Sequence, residues 1–306
     1  MTLPFLLVLA LALDALLGEP RWLWARVAHP AVLLGRAVSA LDRALNRGSM
    51  RRLKGVLATC LLVLGAGSLG WALQQLGPVV VVIATAILLA QKSLVDHVTA
   101  VADGLRQSDE AGRQAVALIV SRDVSASDAS ATSRSAIESL SENFSDGVIA
   151  PAFWFLIAGL PGIAIYKAVN TADSMIGYMT PRHAEFGWAA ARLDDGLNWV
   201  PARATALLIA IVGNSTRHFG KVRQDARLHR SPNAGWPEAA MAYTLGIALA
   251  GPRSYHGQVR DLAWVNATGR RPLGAQDIDA AVAMVWKAWG LAVAVCLGIG
   301  GLVWVF

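Results

Sequence analysis

Long apolar stretches alternate with polar segments along this chain of 306 residues. The apolar stretches cover residues 3–17, 55–76, 78–91, 148–169, 200–213 and 286–306. Only 55–76 and 286–306 comfortably reach the roughly 20 residues that a helix needs to cross a bilayer. No stretch alternates between apolar and polar residues for long enough to predict a strand. The pattern predicts an all-α, polytopic integral membrane protein with several spanning or re-entrant helices.

Polar, helix-favouring segments at 92–147 and 214–285 are expected to form cytoplasmic helices on the same single membrane-embedded domain, residues 1–306. The linker 18–54 carries eight Lys and Arg against two acids. Basic loops stay on the cytoplasmic side of a membrane. The expected location is therefore a cell inner membrane, with the polar motifs facing the cytoplasm.

Two breaks interrupt the apolar pattern. Gly77 and Pro78 form a turn that predicts a helical hairpin of 55–76 with 78–91. A second break, from Gly159 to Gly162, lies inside 148–169 and contains Pro161. Proline breaks a helix, so this segment is expected to be a re-entrant hairpin or a kinked span. The re-entrant arrangement is favoured because it places the polar motifs before and after the segment on one face.

Composition supports the membrane assignment. The chain is 55% hydrophobic and 16% charged, with a mean hydropathy of +0.47, whereas soluble domains average about 25% charged residues. The N-terminus lacks the basic region of a signal peptide and contains Asp14, which favours a retained helix over a cleaved one. The net charge of +6 suits cytoplasmic loops and anionic lipid, and no basic run interleaved with aromatics indicates nucleic acid. The histidines and two cysteines show no metal-ligand spacing, and no phosphate-binding glycine loop is present.

Three acids recur every four residues at Glu138, Glu142 and Asp146, with Asn143 among them. On a helix they would share one face, and such acids repel unless a cation lies between them. Magnesium with a bound phosphate is a natural candidate, and Asp173 is a further possible ligand. The alternative is a solvated helix face in which Arg134 pairs with Glu138.

A second motif follows the apolar hairpin, where Lys167, Asn170 and Asp173 are spaced by three. Lysine can neutralise a phosphate, and Asn and Asp can bind magnesium. The alternative is an ordinary ion pair that anchors the hairpin at the membrane interface.

A third motif contains Arg192, Asp194, Asp195 and Arg203. Adjacent residues on a helix point about 100° apart, so only one of the two acids is expected to enter a site. Asp195 is taken as that acid. The alternative is a charge cluster at a helix end.

Turns supply the remaining candidates. The segment 231–241 is a turn that leads into a helix, where free backbone N–H groups could bind an anion near Asn233 and Glu238. Arg253 lies in a second turn and could face a phosphate or a carboxylate. His29 stands near Asp14 and Glu19 in sequence. Each of these has a structural alternative, namely plain turn residues and a histidine that supports the fold.

Four motifs are distinctive enough to compare with a known family. They read ESLSENFSDGVIAP, YKAVNTADSMIGY, FGWAAARLDDGLNWVPAR and SPNAGWPEAAM. In this order and spacing they resemble the CobD/CbiB family, the membrane-associated adenosylcobinamide-phosphate synthases of cobalamin biosynthesis. The resemblance covers about residues 10 to 260 and includes the N-terminal LDALLGEPRWLWARVAHP. Glu19 stands where the family pattern has Asp, and Phe144 and Ser145 depart from it inside the acidic motif.

The resemblance implies ATP- and Mg²⁺-dependent formation of an amide between the propionate carboxyl of adenosylcobyric acid and aminopropanol or its O-phosphate. Expected substrates are these molecules, and expected partners are the bilayer, other enzymes of the pathway and a second copy of the chain. The candidate catalytic residues are Glu142, Asp146, Lys167, Asp173 and Asp195. Candidate ligand-binding residues are His29, Asn143, Asn170, Arg192, Arg203, Asn233, Glu238 and Arg253, and candidate metal ligands are Glu138, Glu142, Asp146 and Asp173. Two other classes stay open, a transporter of corrinoid intermediates, which intramembrane charge also suits, and a membrane scaffold.

Overall fold

The structure is a computed structural model that describes residues 2–120, 123–255, 258–260 and 262–305, without the side chains of 21, 253–255, 258–260 and 303–305. It is 75% helical with almost no strand. Among these described residues, four helical stretches are long and apolar enough to cross a membrane: Arg51–Gln74, Pro78–Gln107, Ala129–Ile176 and Ala275–Leu302. The predicted all-α membrane fold is confirmed.

Helices α1, α4 and α5 follow predicted apolar stretches, whereas α9, α10 and α13 extend beyond theirs and the other helices lie in polar segments. They are α1 (Leu3–Leu17), α2 (Arg21–Trp24), α3 (Pro30–Leu45), α4 (Arg51–Gln74), α5 (Pro78–Leu88), α6 (Gln91–Gln107), α7 (Asp109–Val116), α8 (Ala129–Phe144), α9 (Ala150–Ile176), α10 (Trp188–Val212), α11 (Phe219–Ala226), α12 (Gly235–Leu245) and α13 (Ala275–Val305). A π-helical turn, Ser145–Ile149, joins α8 to α9, and a 3-10 turn, Thr216–His218, precedes α11.

Four very short strands lie between α12 and α13. They are β1 (Leu249–Ala250), β2 (Arg253–Tyr255), β3 (Gln258–Arg260) and β4 (Trp264–Val265). Strand β1 pairs with β4 and β2 with β3, both antiparallel. Sequence periodicity could not predict them, because two or three residues are too few to show alternation.

The chain divides into two compact units. The first unit contains Met1–Lys92, Asp146–Trp199 and Val295–Phe306. Its helix α4 packs along α9, and α1 packs against α5. The close approach depends on glycine, since a methyl group at Gly70 would lie 2.6 Å from the carbonyl oxygen of Leu160. A buried core at one end of these helices includes Val38, Ala58, Leu62, Ala172, Ile176, Phe186 and Ala190.

The predicted hairpin of α4 and α5 is present in the first unit. Gly77 joins the two helices with a φ of +100°, a conformation that glycine adopts without steric cost. Pro78 then occupies the first turn of α5, where its missing N–H group is tolerated.

Helix α9 is itself a hairpin of two helical halves. Ala158 and Gly159 have non-helical backbone angles. Trp154 and Gly162 would lie about 12 Å apart along a straight helix, yet a methyl group at Gly162 would lie 2.2 Å from the carbonyl oxygen of Trp154. The Tyr166 hydroxyl likewise lies 3.0 Å from the carbonyl oxygen of Asp146, 20 residues earlier. The break predicted at Gly159 to Gly162 is therefore confirmed, and the chain doubles back there.

A side chain from α4 stabilises the tip of this hairpin. The Gln74 side-chain oxygen accepts a hydrogen bond of 2.9 Å from the N–H group of Leu160. This N–H begins the second half of α9 and has no partner within its own helix. Inside a bilayer no water is present to accept a hydrogen bond from this N–H group, so the Gln74 side chain serves as its acceptor.

The second unit contains Ser93–Ser145 and Val200–Ala294. Helix α8 packs against α7, α12 and β1. The side chain of Asn266 donates to the carbonyl oxygens of Ala242 and Ile247 and so connects the end of α12 to the strands. This unit consists largely of the polar segments that the sequence places outside the bilayer.

Candidate functional site

The hairpin in α9 brings two predicted motifs of the first unit together. Asp146 lies in the π-helical turn before the hairpin, and Lys167 lies in the half that returns. The charge of Lys167 interacts with the carboxylates of Asp146, Glu19 and Asp14. Single π-helical turns within helices often occur at functional sites. The turn here widens the helix at the residue that faces the lysine motif.

Lys167, Asn170 and Asp173 all lie on the returning half of α9 at helical spacing, as predicted. Beyond them, the Asn170 side-chain NH₂ group donates to Asp194 Oδ1 at 3.2 Å. Asp194 belongs to α10, so this hydrogen bond joins the second and third predicted motifs within one unit.

A buried hydrogen-bond chain continues from Asp194. Its Oδ2 accepts from the Asn198 NH₂ group at 3.0 Å, and the Tyr166 hydroxyl lies 2.9 Å from Asn198 Oδ1. Tyr166 and Asn198 are each only 1% exposed. Buried polar groups are expensive unless they are hydrogen-bonded, and this chain satisfies both side chains. We call Tyr166, Asn198, Asp194 and Asn170 the amide chain.

Burial and, after it, the neighbouring charge of Asp173 raise the pKa of Asp194 to about 7, although the hydrogen bonds from Asn170 and Asn198 act to lower it. Ionised carboxylates close to each other disfavour the second charge. Asp194 and Asp173 therefore form an electrostatically coupled pair near the surface of the first unit. A cation placed beside them would relieve the repulsion.

Asp195 has a different environment from its neighbour. Its side chain is 34% exposed, and one oxygen lies 3.8 Å from the guanidinium of Arg192. Burial raises the pKa of Asp195, and Arg192 lowers it. The acid hydrogen-bonded to Asn170 is Asp194 rather than Asp195. The catalytic role assigned to Asp195 stays a prediction.

Asp14 has a structural role that the sequence did not reveal. It is 4% exposed, and its carboxylate accepts a hydrogen bond of 2.8 Å from the N–H group of Gln91. Gln91 begins α6 immediately after Leu89 and Ala90, two non-helical residues that separate α6 from α5. Asp14 thus caps a helix that starts among apolar residues, where a carboxylate is favoured by the helix dipole.

His29 also caps a helix. Its Nδ1 accepts a hydrogen bond from the N–H group of Ala31 at the start of α3. Its ring packs edge-on against the ring of Trp24, with the two ring centroids 4.4 Å apart. Burial lowers the pKa of His29, whereas Glu19 raises it and Lys167 lowers it. The structural alternative for His29 is therefore realised, and its predicted part in ligand binding stays a prediction.

The acids of α8 belong to the second unit. Glu138 is 6% exposed, and its Oε1 accepts from the N–H group of Ala250 at 2.8 Å. Ala250 has a φ of +57°, a conformation that costs energy for alanine. Glu138 therefore holds the strand β1 in place, a role that the four-residue spacing of acids did not indicate.

Glu142 and Asn143 are exposed on the next turn of α8. The Asn143 NH₂ group donates to the carbonyl oxygen of Ser139 at 2.9 Å. Nothing in this local geometry contradicts the roles predicted for them.

The turn before α12 is already hydrogen-bonded. Ser231 Oγ accepts from the N–H groups of Asn233 and Ala234, which would otherwise be free at this helix start. The predicted anion site on the backbone of this turn is therefore wrong for these two groups. Asn233 instead accepts a hydrogen bond of 3.0 Å from the guanidinium of Arg203, which lies over the ring of Trp236.

Glu238 is 4% exposed and lies 3.9 Å from His229. Arg203 and Asn233 are thus hydrogen-bonded to each other in the second unit, and the ligand-binding roles of Arg203, Asn233 and Glu238 stay predictions. The side chain of Arg253 lies outside the described residues. That all the motifs converge on one pocket stays a prediction.

Among the residues that the structure describes, no three His, Cys, Asp or Glu side chains are placed to hold a metal ion together. The four proposed ligands Glu138, Glu142, Asp146 and Asp173 therefore do not form an all-protein cage. Magnesium is usually bound by one or two carboxylates, with phosphates and water completing its shell. Asp173 with the oxygen of Asn170, or Asp146, is compatible with that arrangement.

The comparisons with known proteins agree with the resemblance. Residues 7–285 match the family model described as CobD/Cbib protein. A relative from Rhizobium meliloti (strain 1021), named "Cobalamin biosynthesis protein CobD", is 49% identical, with 92% of each chain covered. Proteins of the same name from Brucella suis and Rhodobacter capsulatus are 48% and 42% identical, over 93% and 98% of each chain. No solved structure gives a significant match.

Proposed function

We propose that this chain, a member of the CobD/CbiB family, is an ATP-dependent ligase that forms an amide on a corrinoid carboxyl group. Its relatives in that family are named for cobalamin biosynthesis. The substrates are the propionate of adenosylcobyric acid and aminopropanol or its O-phosphate. The product is adenosylcobinamide or its phosphate. The site lies in a cell inner membrane and faces the cytoplasm.

One observation carries the proposal. The hairpin of α9 returns Lys167 to the neighbourhood of Asp146, and a hydrogen bond of 3.2 Å links Asn170 to Asp194 on another helix. A cation, an amide and several carboxylates are thus collected at one end of an apolar hairpin. Charged groups within membrane-embedded helices are energetically costly, and by default they mark functional sites.

The chemistry needs these residue types. A carboxylate reacts with an amine only after activation, so the corrinoid carboxylate attacks the terminal phosphorus of ATP and forms an acyl phosphate while ADP leaves. The amine nitrogen then attacks the acyl carbon, the bond to phosphate breaks, and the proton of the nitrogen passes to a carboxylate. Magnesium, when bound, neutralises phosphate charge during the first step.

Lys167 would neutralise the negative charge that accumulates on the transferring phosphate, because a positive charge beside Asp146 acts strongly in a site of low polarity. Asp173 and Asp146 would hold the magnesium of the nucleotide with Asn170. Asp195, which is the more exposed acid of its pair, would take the proton of the amine. Arg192 would contact the phosphates, and the ligand-binding roles of Arg203 and the other second-unit residues stay predictions.

The experiment uses purified protein in detergent with adenosylcobyric acid, ATP, Mg²⁺ and either amine. A corrinoid with the mass of the amide should appear, and one ATP should be consumed for each amide. Comparing the two amines identifies the natural one. Omission of Mg²⁺ should abolish the product.

Movement of corrinoid across liposomes without any amide would instead indicate a transporter. The broken helices α5–α6 and α9 are a feature that transporters share. Binding of pathway enzymes without turnover would indicate a scaffold. Turnover of ATP that requires both substrates separates the ligase from these two alternatives.

A further inference from the structure

The amide chain has a direction, and the direction determines which atom of Asn170 faces outward. Tyr166 has a single hydroxyl proton, which Asn198 Oδ1 at 2.9 Å and the Asp146 carbonyl oxygen at 3.0 Å share as acceptors. The NH₂ group of Asn198 then points to Asp194 Oδ2, and Asp194 Oδ1 accepts from Asn170. The ionised form of Asp194 only accepts hydrogen bonds, so in that form both amides turn their NH₂ groups toward it.

Asn170 is therefore left with its carbonyl oxygen on the side away from Asp194. It lies between Lys167 and Asp173, one helical turn from each, and shares their face of α9. An amide oxygen fixed in this way is an acceptor for a positive group. In the reverse orientation the same residue would present two N–H donors and would repel a cation.

We propose that Tyr166, Asn198 and Asp194 are positioning residues that hold the carbonyl oxygen of Asn170 outward, as the acceptor for a cationic group of the bound substrates. The proposal rests on the proposed function, in which Asn170 faces the ligand. The cationic group is either the magnesium of the nucleotide or the ammonium of the amine. Asp194 acts through Asn170 and does not itself react.

Burial explains why the chain can fix an orientation. Tyr166 and Asn198 are almost completely buried, and Asp194 is 9% exposed. Burial shields most of these hydrogen bonds from competing water, so each link depends on the next. Tyr166 also lies 3.0 Å from the Asp146 carbonyl oxygen in the π-helical turn. The same hydroxyl therefore connects the two halves of the hairpin to α10.

An exchange of two side chains tests the proposal. In Asp194→Asn, the amide at 194 can offer N–H groups to Asn170, so the Asn170 side chain can reverse. In Asn170→Asp, two carboxylates meet and repel. In the double variant, the NH₂ group of residue 194 donates to the carboxylate at 170, which still presents an oxygen outward, and Asn198 can donate to the oxygen of residue 194.

We expect each single variant to lose about tenfold or more in kcat/KM, the typical effect of removing an outer-shell partner. The double variant should recover to within about threefold of the wild type. A double variant as inactive as Asp194→Asn would overturn the proposal, because it would mean that Asp194 itself reacts or binds the cation.

Tyr166→Phe tests the distant end of the chain. It should lower kcat/KM about tenfold, at the lower end of the outer-shell range. Tyr243→Phe is the matched control, since Tyr243 donates to Asp225 at 2.9 Å in the second unit. Thermal unfolding in detergent checks that both proteins fold. Equal activity of the two folded variants would remove Tyr166 from the proposal.

Two binding arms identify the cation. Calorimetry with a non-hydrolysable ATP analogue and Mg²⁺, and separately with each amine, needs no turnover. Weaker binding in the single variants, restored in the double variant, should appear in one of the two arms. Unchanged binding in both arms would mean that the Asn170 oxygen contacts neither group and would overturn the proposal.

Failure of the proposal differs from failure of the proposed reaction. Growth of a cobalamin-dependent strain that lacks its own family member reports pathway output whatever the reaction is. Growth without amide synthesis in vitro would mean that the proposed reaction is wrong. Growth of strains that carry the single and double variants of residues 170 and 194 would still show whether the double variant recovers. If the wild type is active but the double variant does not recover, only the positioning role is contradicted. A wild-type chain without growth, amide or ligand binding would overturn both.

Discussion

Single charged residues of the first unit stand where burial makes each of them costly. Lys167 on α9 interacts with Asp146, Glu19 and Asp14, and no apolar packing requires a lysine there. Asp194 is buried, yet it accepts two amide hydrogen bonds. A structure tolerates such groups when they are paired, and function is the common reason to keep them.

Lys167→Ala should lower kcat/KM for amide synthesis at least about tenfold, roughly 1.4 kcal/mol of transition-state stabilisation. The reason is the loss of the cation beside the transferring phosphate. Asp146→Asn, Asp173→Asn, Asp195→Asn and Glu142→Gln should have similar effects. Lys221→Ala, at an exposed position of α11, is the control and should be unaffected. Near-normal activity in three or more of the site variants would contradict these assignments.

Asp42 predicts how stability depends on pH. Burial by itself raises the pKa of Asp42, but hydrogen bonds from Asn46 and Arg182, with the charges of Arg182 and His183, hold the pKa below its ordinary value of 3.8. The ionised form is thus favoured by folding. Its contribution is fully present above pH 3.8 and is lost as the pH falls below that value.

Asp42→Asn should therefore lower the thermal stability at neutral pH, by about 1 kcal/mol because Arg182 is largely exposed. The difference between variant and wild type should shrink when unfolding is measured at progressively lower pH. A difference that stays constant through this range would exclude the carboxylate as its source.

At the scale of elements, the decisive feature is the hairpin within α9. The Gly159 backbone has a φ of +63°, and a methyl group there would lie 2.2 Å from the Gln74 side-chain oxygen. That oxygen is the acceptor for the N–H group of Leu160. The turn thus depends on one backbone conformation and on one hydrogen bond from α4.

Gly159→Ala should destabilise the protein by about 1–3 kcal/mol, since alanine rarely adopts this conformation. Loss of the Gln74 hydrogen bond adds to the strain. Gly65→Ala on α4 is the control, because nothing lies within 4 Å of the added methyl group. Thermal unfolding in detergent measures both. A Gly159→Ala variant as stable as Gly65→Ala would mean that the turn relaxes freely.

The hairpin also predicts membrane sidedness. Cysteines at the exposed positions Asn143 and Thr180, placed in a chain whose exposed Cys60 is replaced, should react with an impermeant thiol reagent from the same side. The reason is that the chain enters and leaves the membrane on one face. Labelling of one position only from the cytoplasm and the other only from outside would show that the segment crosses.

For the whole molecule, the fold was predictable because lipid imposes strong patterns on sequence. Apolar stretches located α1, α4, α5 and the end of α13, and the residues at Gly77 and Gly159 located the turns. The short strands escaped prediction because two or three residues are too few to show alternation. The hydrogen bond from the N–H group of Ala250 to buried Glu138 was also not visible in the sequence.

The site was predictable only in part. Charged residues announced α9 and α10, but adjacent acids differ in direction by about 100°, and the sequence alone could not show that Asp194 rather than Asp195 contacts Asn170. Tyr166 sits in an apolar stretch and gave no polar signal. Its hydroxyl matters because the hairpin brings Asp146 back beside it, which is a tertiary effect.

Transfer of oxygen tests the proposed reaction most directly. Adenosylcobyric acid labelled with ¹⁸O in its free carboxyl group would be converted with ATP, Mg²⁺ and the preferred amine, and the released phosphate examined by mass spectrometry. Formation of an acyl phosphate predicts one ¹⁸O atom in the phosphate for each amide formed. Amide without labelled phosphate would contradict activation at the terminal phosphate of ATP, and absence of any amide with either amine would contradict the ligase itself.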